Sequence, residues 1–218
     1  MGALYVNVGC GQTPTQGYQN FDNSPSLRLA NLPPFLVALL RRARIVGSSQ
    51  AAYIEFCRSN GISFADATRR IPLANGSSDV VYSSHMLEHL DADQAIRFFS
   101  EARRVLKPGG VLRIAVPDLR RRIERYRSDE DADAFVESLL LHRTRPTSVR
   151  QACLALVAGD RGHAWMYDGS SLVCLITRNG FEEAEVMPAG TSRMATSGAL
   201  DLRERHDESV YVEAVRPS

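Results

Sequence analysis

The stretch that decides the fold runs from Asp79 to Val116, DVVYSSHMLEHLDADQAIRFFSEARRVLKPGGVLRIAV. Asp79 to Ser83 predicts a short buried strand, rich in β-branched and aromatic residues. Asp91 to Leu106 predicts a helix. Asp91 caps it, and Gln94, three residues on, completes a capping box. Ile96, Phe99, Ala102, Val105 and Leu106 recur at helical spacing and form its apolar stripe. Lys107-Pro108-Gly109-Gly110 stops the helix, and Val111 to Val116 predicts the next strand.

The same alternation extends outward. Upstream, Ala3 to Val8 reads as a strand ending in the turn Gly9-Cys10-Gly11, and Tyr18 to Asp22 as a second strand. Asn23 to Gly61 is proline-rich and then helical, over Leu36 to Val46 and Gln50 to Ser59, with Asn60-Gly61 as a stop. Ile62 to Ala65 is a strand candidate ending at Asp66. Downstream, Leu119 to His142 is charged and helical with a break near Ser128. Val149 to Ala158 and Ser170 to Asn179 predict further helices. Phe181 to Met187 and Ser209 to Val215 alternate like a terminal antiparallel pair. Strands alternating with helices, then two closing strands, predict an α/β fold with a doubly wound, mostly parallel sheet and a closing antiparallel strand pair. We expect one domain over residues 1–218, with a helical insert at 23–61 and a helical lid at 119–165.

Composition narrows the function classes. The chain has 218 residues, 44% hydrophobic and 23% charged, with a formal net charge of +1. Disorder is excluded as the main state. A bulk polyanion binder needs a larger basic surplus, so no nucleic acid is expected. Lys107 is the only lysine among 26 basic residues, an arginine bias that reads as coding composition. The basic run Arg120-Arg121-Arg122 is followed by the acidic stretch Asp129 to Asp133 and reads as a solvated helix face. Cys10, Cys57, Cys153 and Cys174 show no C-x-x-C spacing, which fits a reducing, cytoplasmic compartment. No secretory leader and no membrane span are expected, since the longest apolar run, Leu32 to Leu40, is short and holds two prolines.

Three stretches carry candidate chemistry. Gly9-Cys10-Gly11 after a strand lets backbone approach a ligand and offers amide donors. As a dinucleotide fingerprint it fails, because Pro14 holds the place of the third glycine. His85-Met86-Leu87-Glu88-His89 matches H-x-x-E-H, in which two histidines on one helix face bind zinc beside a glutamate base. A plainer reading has Glu88 and His89 orienting or capping a helix start, with His89 a buried, satisfied histidine. Gly162-His163-Ala164-Trp165-Met166-Tyr167-Asp168 gathers a histidine and two aromatics before a helix. The alternative there is a packed loop with Asp168 as cap.

Taken together, VNVGCG, GYQNFD, DATRRIPLANGSSDVVYSSHMLEHL and EARRVLKPGGVLRIAVPDL, with HAWMYD and SLVCLITRNGF, resemble a class I S-adenosylmethionine-dependent methyltransferase. The likeness is to the small methyltransferase-type-11-like proteins associated with sugar or polysaccharide modification. The resemblance implies a Rossmann-like fold, S-adenosylmethionine as methyl donor and S-adenosylhomocysteine as product. It places Asn7, Gly9, Cys10 and Gly11 along the methionine end of the donor. Asp22 would contact the ribose, and Asp66 with Ala67 the adenine edge. Ser83 and Ser84 would line the mouth of the fourth strand. His85 is the first candidate for the base and His163 the second, with Trp165 and Tyr167 as acceptor contacts. Asn7 stands where the family usually has an acidic residue, and Gly11 to Asp22 is short for the usual first helix. The expected acceptor is a small-molecule or glycan hydroxyl, no metal is assigned, and a homodimer is left open. The alternatives are a non-catalytic donor-binding scaffold and a zinc hydrolase through His85, Glu88 and His89.

Overall fold

The computed structural model describes residues 2–141 and 162–218. A seven-stranded sheet runs β3-β2-β1-β4-β5-β7-β6. Its strands are β1 (Tyr5–Val8), β2 (Gln19–Asp22), β3 (Ser63–Phe64), β4 (Ser78–Ser84), β5 (Leu106–Pro117), β6 (Glu182–Met187) and β7 (Ser209–Val215). The first five pair in parallel, whereas β7 is antiparallel to both β5 and β6. The mostly parallel sheet with its closing antiparallel pair is as the sequence predicts.

Side-chain alternation along the strands explains why both sheet faces are covered. Val6, Val8, Val81, Leu112 and Ile114 face one side. There they meet α4 (Ala92–Val105) and α7 (Gly169–Arg178), numbered among the described helices. Asp91 caps α4 and forms a capping box with Gln94, as expected. The buried face of α4 is Ala95, Phe98, Phe99, Ala102 and Val105. Ile96 is a correction: it is 52% exposed. Rotation of the helix brings the larger Phe98 ring inward in its place, and each ring taken fully from water contributes about 1.5–3 kcal/mol.

Val80 and Tyr82 face the other way, together with Tyr18 and Leu200. No helix covers this patch among the described residues. The connection from Pro188 to Glu208 does, held by polar ties. Arg113 of β5 stands opposite Glu213 of β7. Their side chains are 1% and 0% exposed and meet at 2.7 Å. Arg113 also donates to the Thr191 and Leu202 carbonyls, and Glu213 accepts from Ser192 Oγ and the Arg193 amide. The Tyr18 and Tyr82 hydroxyls donate to the Ser197 carbonyl and to Glu204 Oε2.

Parallel neighbours normally need a long crossover, usually a helix. From β1 to β2 there is only the loop Gly9 to Tyr18. The next crossover, from β2 to β3, carries the segment expected as an insert: α1 (Pro25–Ala30), α2 (Pro34–Arg42) and α3 (Ser48–Ser59). Past β5 come α5 (Leu119–Asp129) and α6 (Ala132–Ser138), neither with a buried residue. The expected helix Val149 to Ala158 and the middle of the expected lid lie outside the described residues. No described helix is long and apolar enough to cross a membrane.

Candidate active site

The turn after β1 is fastened to the end of β2. The Gly9 and Cys10 amides donate to the Phe21 carbonyl at 2.8 and 3.1 Å, and the Gly11 amide donates to Asp22 Oδ2 at 3.0 Å. Asp22 Oδ1 accepts from the Ser24 amide at 2.8 Å. Each carboxylate oxygen is thus held by one amide and keeps acceptor capacity. Gly9 has φ +71 and Gly11 φ +52. A Cβ on Gly9 would sit 2.6 to 2.8 Å from Met86 side-chain atoms, whereas one on Gly11 would meet nothing within 4 Å. The close approach at Gly9 therefore serves Met86, and the open space lies at Gly11.

Asn7 is buried and donates to the Thr13 carbonyl and to Thr15 Oγ1, shaping the loop that replaces the first helix. The Cys10 side chain turns inward against Leu27, Cys57 and Ile62. Burial, with the Asp22 charge, pushes its thiol up to about 12. The thiol therefore belongs to the core, and only the Cys10 backbone is left at the turn. Asp66 ends the β3 segment, and its Oδ1 accepts from the Thr68 amide and hydroxyl while Oδ2 pairs with Arg69 at 3.4 Å. Ala67 is buried in the main core.

At the carboxyl end of β4 the chain turns sharply. His85 has a left-handed φ of +50, and its amide donates to the Ala115 carbonyl. Its Nε2 lies 2.8 Å from Ser209 Oγ, and its Nδ1 lies 3.5 Å from Glu88 Oε1. Residues Leu87–His89 form a single 3-10 turn. The helix that H-x-x-E-H requires is therefore not formed, and His85 and His89 do not share a helical face. Glu88 does not cap α4 either. Its side chain is 1% exposed, and neither carboxylate oxygen has a hydrogen-bond partner among the described residues. The buried Ser83 hydroxyl is likewise unpartnered among them. His89, expected to be buried, has a side chain 34% exposed.

The loop before α7 docks onto this turn. The Ala164 and Trp165 amides donate to the Glu88 carbonyl at 2.7 and 3.1 Å. His163 is buried, with Nδ1 2.9 Å from the Leu139 carbonyl and its ring 5.1 Å from that of His89, edge to face. Trp165 is 57% exposed, whereas Tyr167 lies in the core. Asp168 caps α7 in a box with Ser171, which is the plainer of the two sequence readings. Burial, reinforced by Arg205 and the His163 and His89 rings, pushes His85 down to about 3. Burial pushes the Glu88 carboxyl up to about 7. Burial and the His89 ring lower His163.

The structure thus gathers His85, Glu88, His89 and His163 at one end of the sheet. Gly9 to Gly11 and Asp22 form a second cluster, linked to the first through Met86 and Gly9. Asp66 and Ala67 follow β3. Sequence reasoning treated Glu88 as an orienting residue. Its proximity to His163 leaves no local signal, because a loop far along the chain brings that residue in.

A family profile described as a methyltransferase domain matches residues 38–114, from α2 into β5. An S-adenosylmethionine-dependent methyltransferase of Methanosarcina mazei superposes with a TM-score of 0.51, 16% identity, and coverage of 98% of this chain and 92% of the other. One of Thermotoga maritima, described as a possible histamine N-methyltransferase, gives 0.50, 17%, 99% and 83%. No curated protein matches the chain by sequence. The fold is the Rossmann-like fold of these methyltransferases.

Proposed function

We infer that the chain is an S-adenosylmethionine-dependent methyltransferase acting on the hydroxyl of a small molecule or sugar, with S-adenosylhomocysteine as product. The observation that carries this reading is the clasp between Gly11 and Asp22 at the carboxyl ends of β1 and β2. Ligands of open α/β sheets sit at such ends. Asp22 keeps acceptor capacity for ribose hydroxyls, and Gly11 leaves open space beside its backbone. The residues present therefore fit the donor. Asn7 acts through the loop it shapes, and Cys10 through its backbone. Asp66 and Ala67 are assigned to the adenine side, and Ser83 and Ser84 to the mouth of β4.

The bound donor supplies a methyl group made electrophilic by the positive sulfur. The protein's part is to place the acceptor oxygen in line and to take up its proton. His85, hydrogen-bonded to Ser209 and kept neutral by burial, is the first candidate for that proton and His163 the second. Exposed Trp165 is the acceptor-side aromatic, while Tyr167 supports the loop from within the core. Incubation with labelled methyl donor and a panel of sugars, phenols, short glycans and amines tests the reading. Label in a hydroxyl acceptor supports it. Label in amines alone overturns the acceptor class. Donor binding without turnover on any acceptor identifies a scaffold.

A further inference from the structure

We propose that Glu88, His89 and His163 form a binding site for a divalent transition metal of the zinc type. One ligand atom from each lies within 4.8 Å of the others. A carboxylate with two imidazoles is a donor set suited to zinc, and three protein ligands leave a fourth position for water or a substrate oxygen. The orientation of the rings points the same way. His89 Nδ1 is 3.1 Å from the Gly162 carbonyl, and His163 Nδ1 is 2.9 Å from the Leu139 carbonyl. A carbonyl only accepts, so both Nδ1 atoms carry the proton and both Nε2 atoms present lone pairs. Fixing the tautomer of a ligating histidine through a backbone carbonyl is how metal sites are supported from outside.

The second observation is Glu88 itself. A buried carboxylate with neither oxygen hydrogen-bonded among the described residues is costly to keep, even with the His85 ring 3.5 Å away, and an ion beside it removes that cost. His89 Nε2 is 4.0 Å from Glu88 Oε1. Zinc at about 2.0–2.2 Å from each ligand needs them roughly 3.3–3.6 Å apart, so the cluster closes by less than about 1.5 Å on loading. The set differs from the one the H-x-x-E-H spacing suggests. His163, brought in by the loop before α7, takes the place of His85, whose ring is turned to Ser209. The proposal does not rest on the methyl-donor reading, because the ion would bind whether or not a donor does.

The test is calorimetric titration of Zn²⁺ into the full chain after chelator treatment, with Co²⁺ absorption as a second readout. We expect one Zn²⁺ per chain and a four- or five-coordinate Co²⁺ band. His89→Ala and Glu88→Gln should each weaken binding by more than the roughly tenfold that loss of an outer-shell partner costs. His163→Ala should do the same. His206→Ala, at an exposed histidine, should change nothing. His89 is partly exposed, so His89→Ala keeps the test decisive if His163→Ala fails to fold. Failure to bind Zn²⁺, equal binding by wild type and the folded ligand variants, or a Co²⁺ thiolate band abolished by Cys57→Ser would each overturn the site.

Discussion

Two glycines two residues apart do different work. Gly9 needs its positive φ and also has Met86 packed where a Cβ would go. Gly11 needs only its φ. Gly9→Ala should therefore cost about 2 kcal/mol or more in urea unfolding, and Gly11→Ala about 1 kcal/mol, the price of the left-handed backbone alone. Equal losses would show that the Met86 contact gives way freely. His85→Ala should depress turnover more than donor affinity if His85 takes the proton, and the reverse split would make it a donor contact. Little of this was legible in the sequence. The glycine turn and Asp22 were visible as a pattern, but the contacts of Gly9 with Met86 and of Glu88 with the 163–165 loop are long-range. No periodicity encodes them.

At the scale of elements, α4 holds the preceding loop through one ion pair. Glu101 and Arg104 meet at 2.7 Å, both mostly buried. Arg104 also donates to the Ile71 and Leu73 carbonyls and to Asn75 Oδ1, and Glu101 accepts from the Ile71 amide. Burial alone would raise the Glu101 carboxyl, but the hydrogen bonds from Arg104 and Ile71 outweigh it and leave it lowered. A carboxylate whose folded pKa is depressed contributes stability that is present above its unfolded value and lost as pH falls through the folded one. Glu101→Gln should therefore cost about 1–3 kcal/mol near neutral pH, and the gap to wild type should shrink as pH drops below about 4.5. A gap independent of pH would mean that the pair contributes through packing alone. This level was the most legible. The caps and the strand on either side of α4 follow from local rules, whereas Lys107 to Gly110, read as a helix stop ahead of the strand, already lie within β5, which begins at Leu106 directly after the helix. Ile96 and Phe98 were exchanged because neighbouring stripes on one helix have similar apolar content, and only the sheet selects between them.

For the whole molecule, the cover of the second sheet face hangs on Arg113 and Glu213. Glu213→Gln should cost about 3–5 kcal/mol, because it leaves a buried guanidinium unpaired. It should also speed proteolysis between Pro188 and Glu208. Replacing both, as Arg113→Met with Glu213→Leu, should recover part of the stability, and no recovery would mean that the ties to Thr191, Ser192, Arg193 and Leu202 dominate. The sequence could not disclose this, since a charged residue in a strand reads as solvent-facing until its partner strand is known. The arginine bias is likewise resolved only in three dimensions. Arg121 and Arg122 pair with Asp118 and Glu208 beside exposed α5, while Arg41, Arg42 and Arg58 line a cavity of about 920 Å³ between α2 and α3. If the clasp of Gly11 and Asp22 seats the methyl donor, as proposed, calorimetry with S-adenosylhomocysteine reads it out. Wild type should bind one equivalent, and folded Asp22→Ala should bind at least about tenfold more weakly, as expected for lost charge-assisted hydrogen bonds. Equal affinity in the two proteins, or none in wild type, would show that the donor is not seated there.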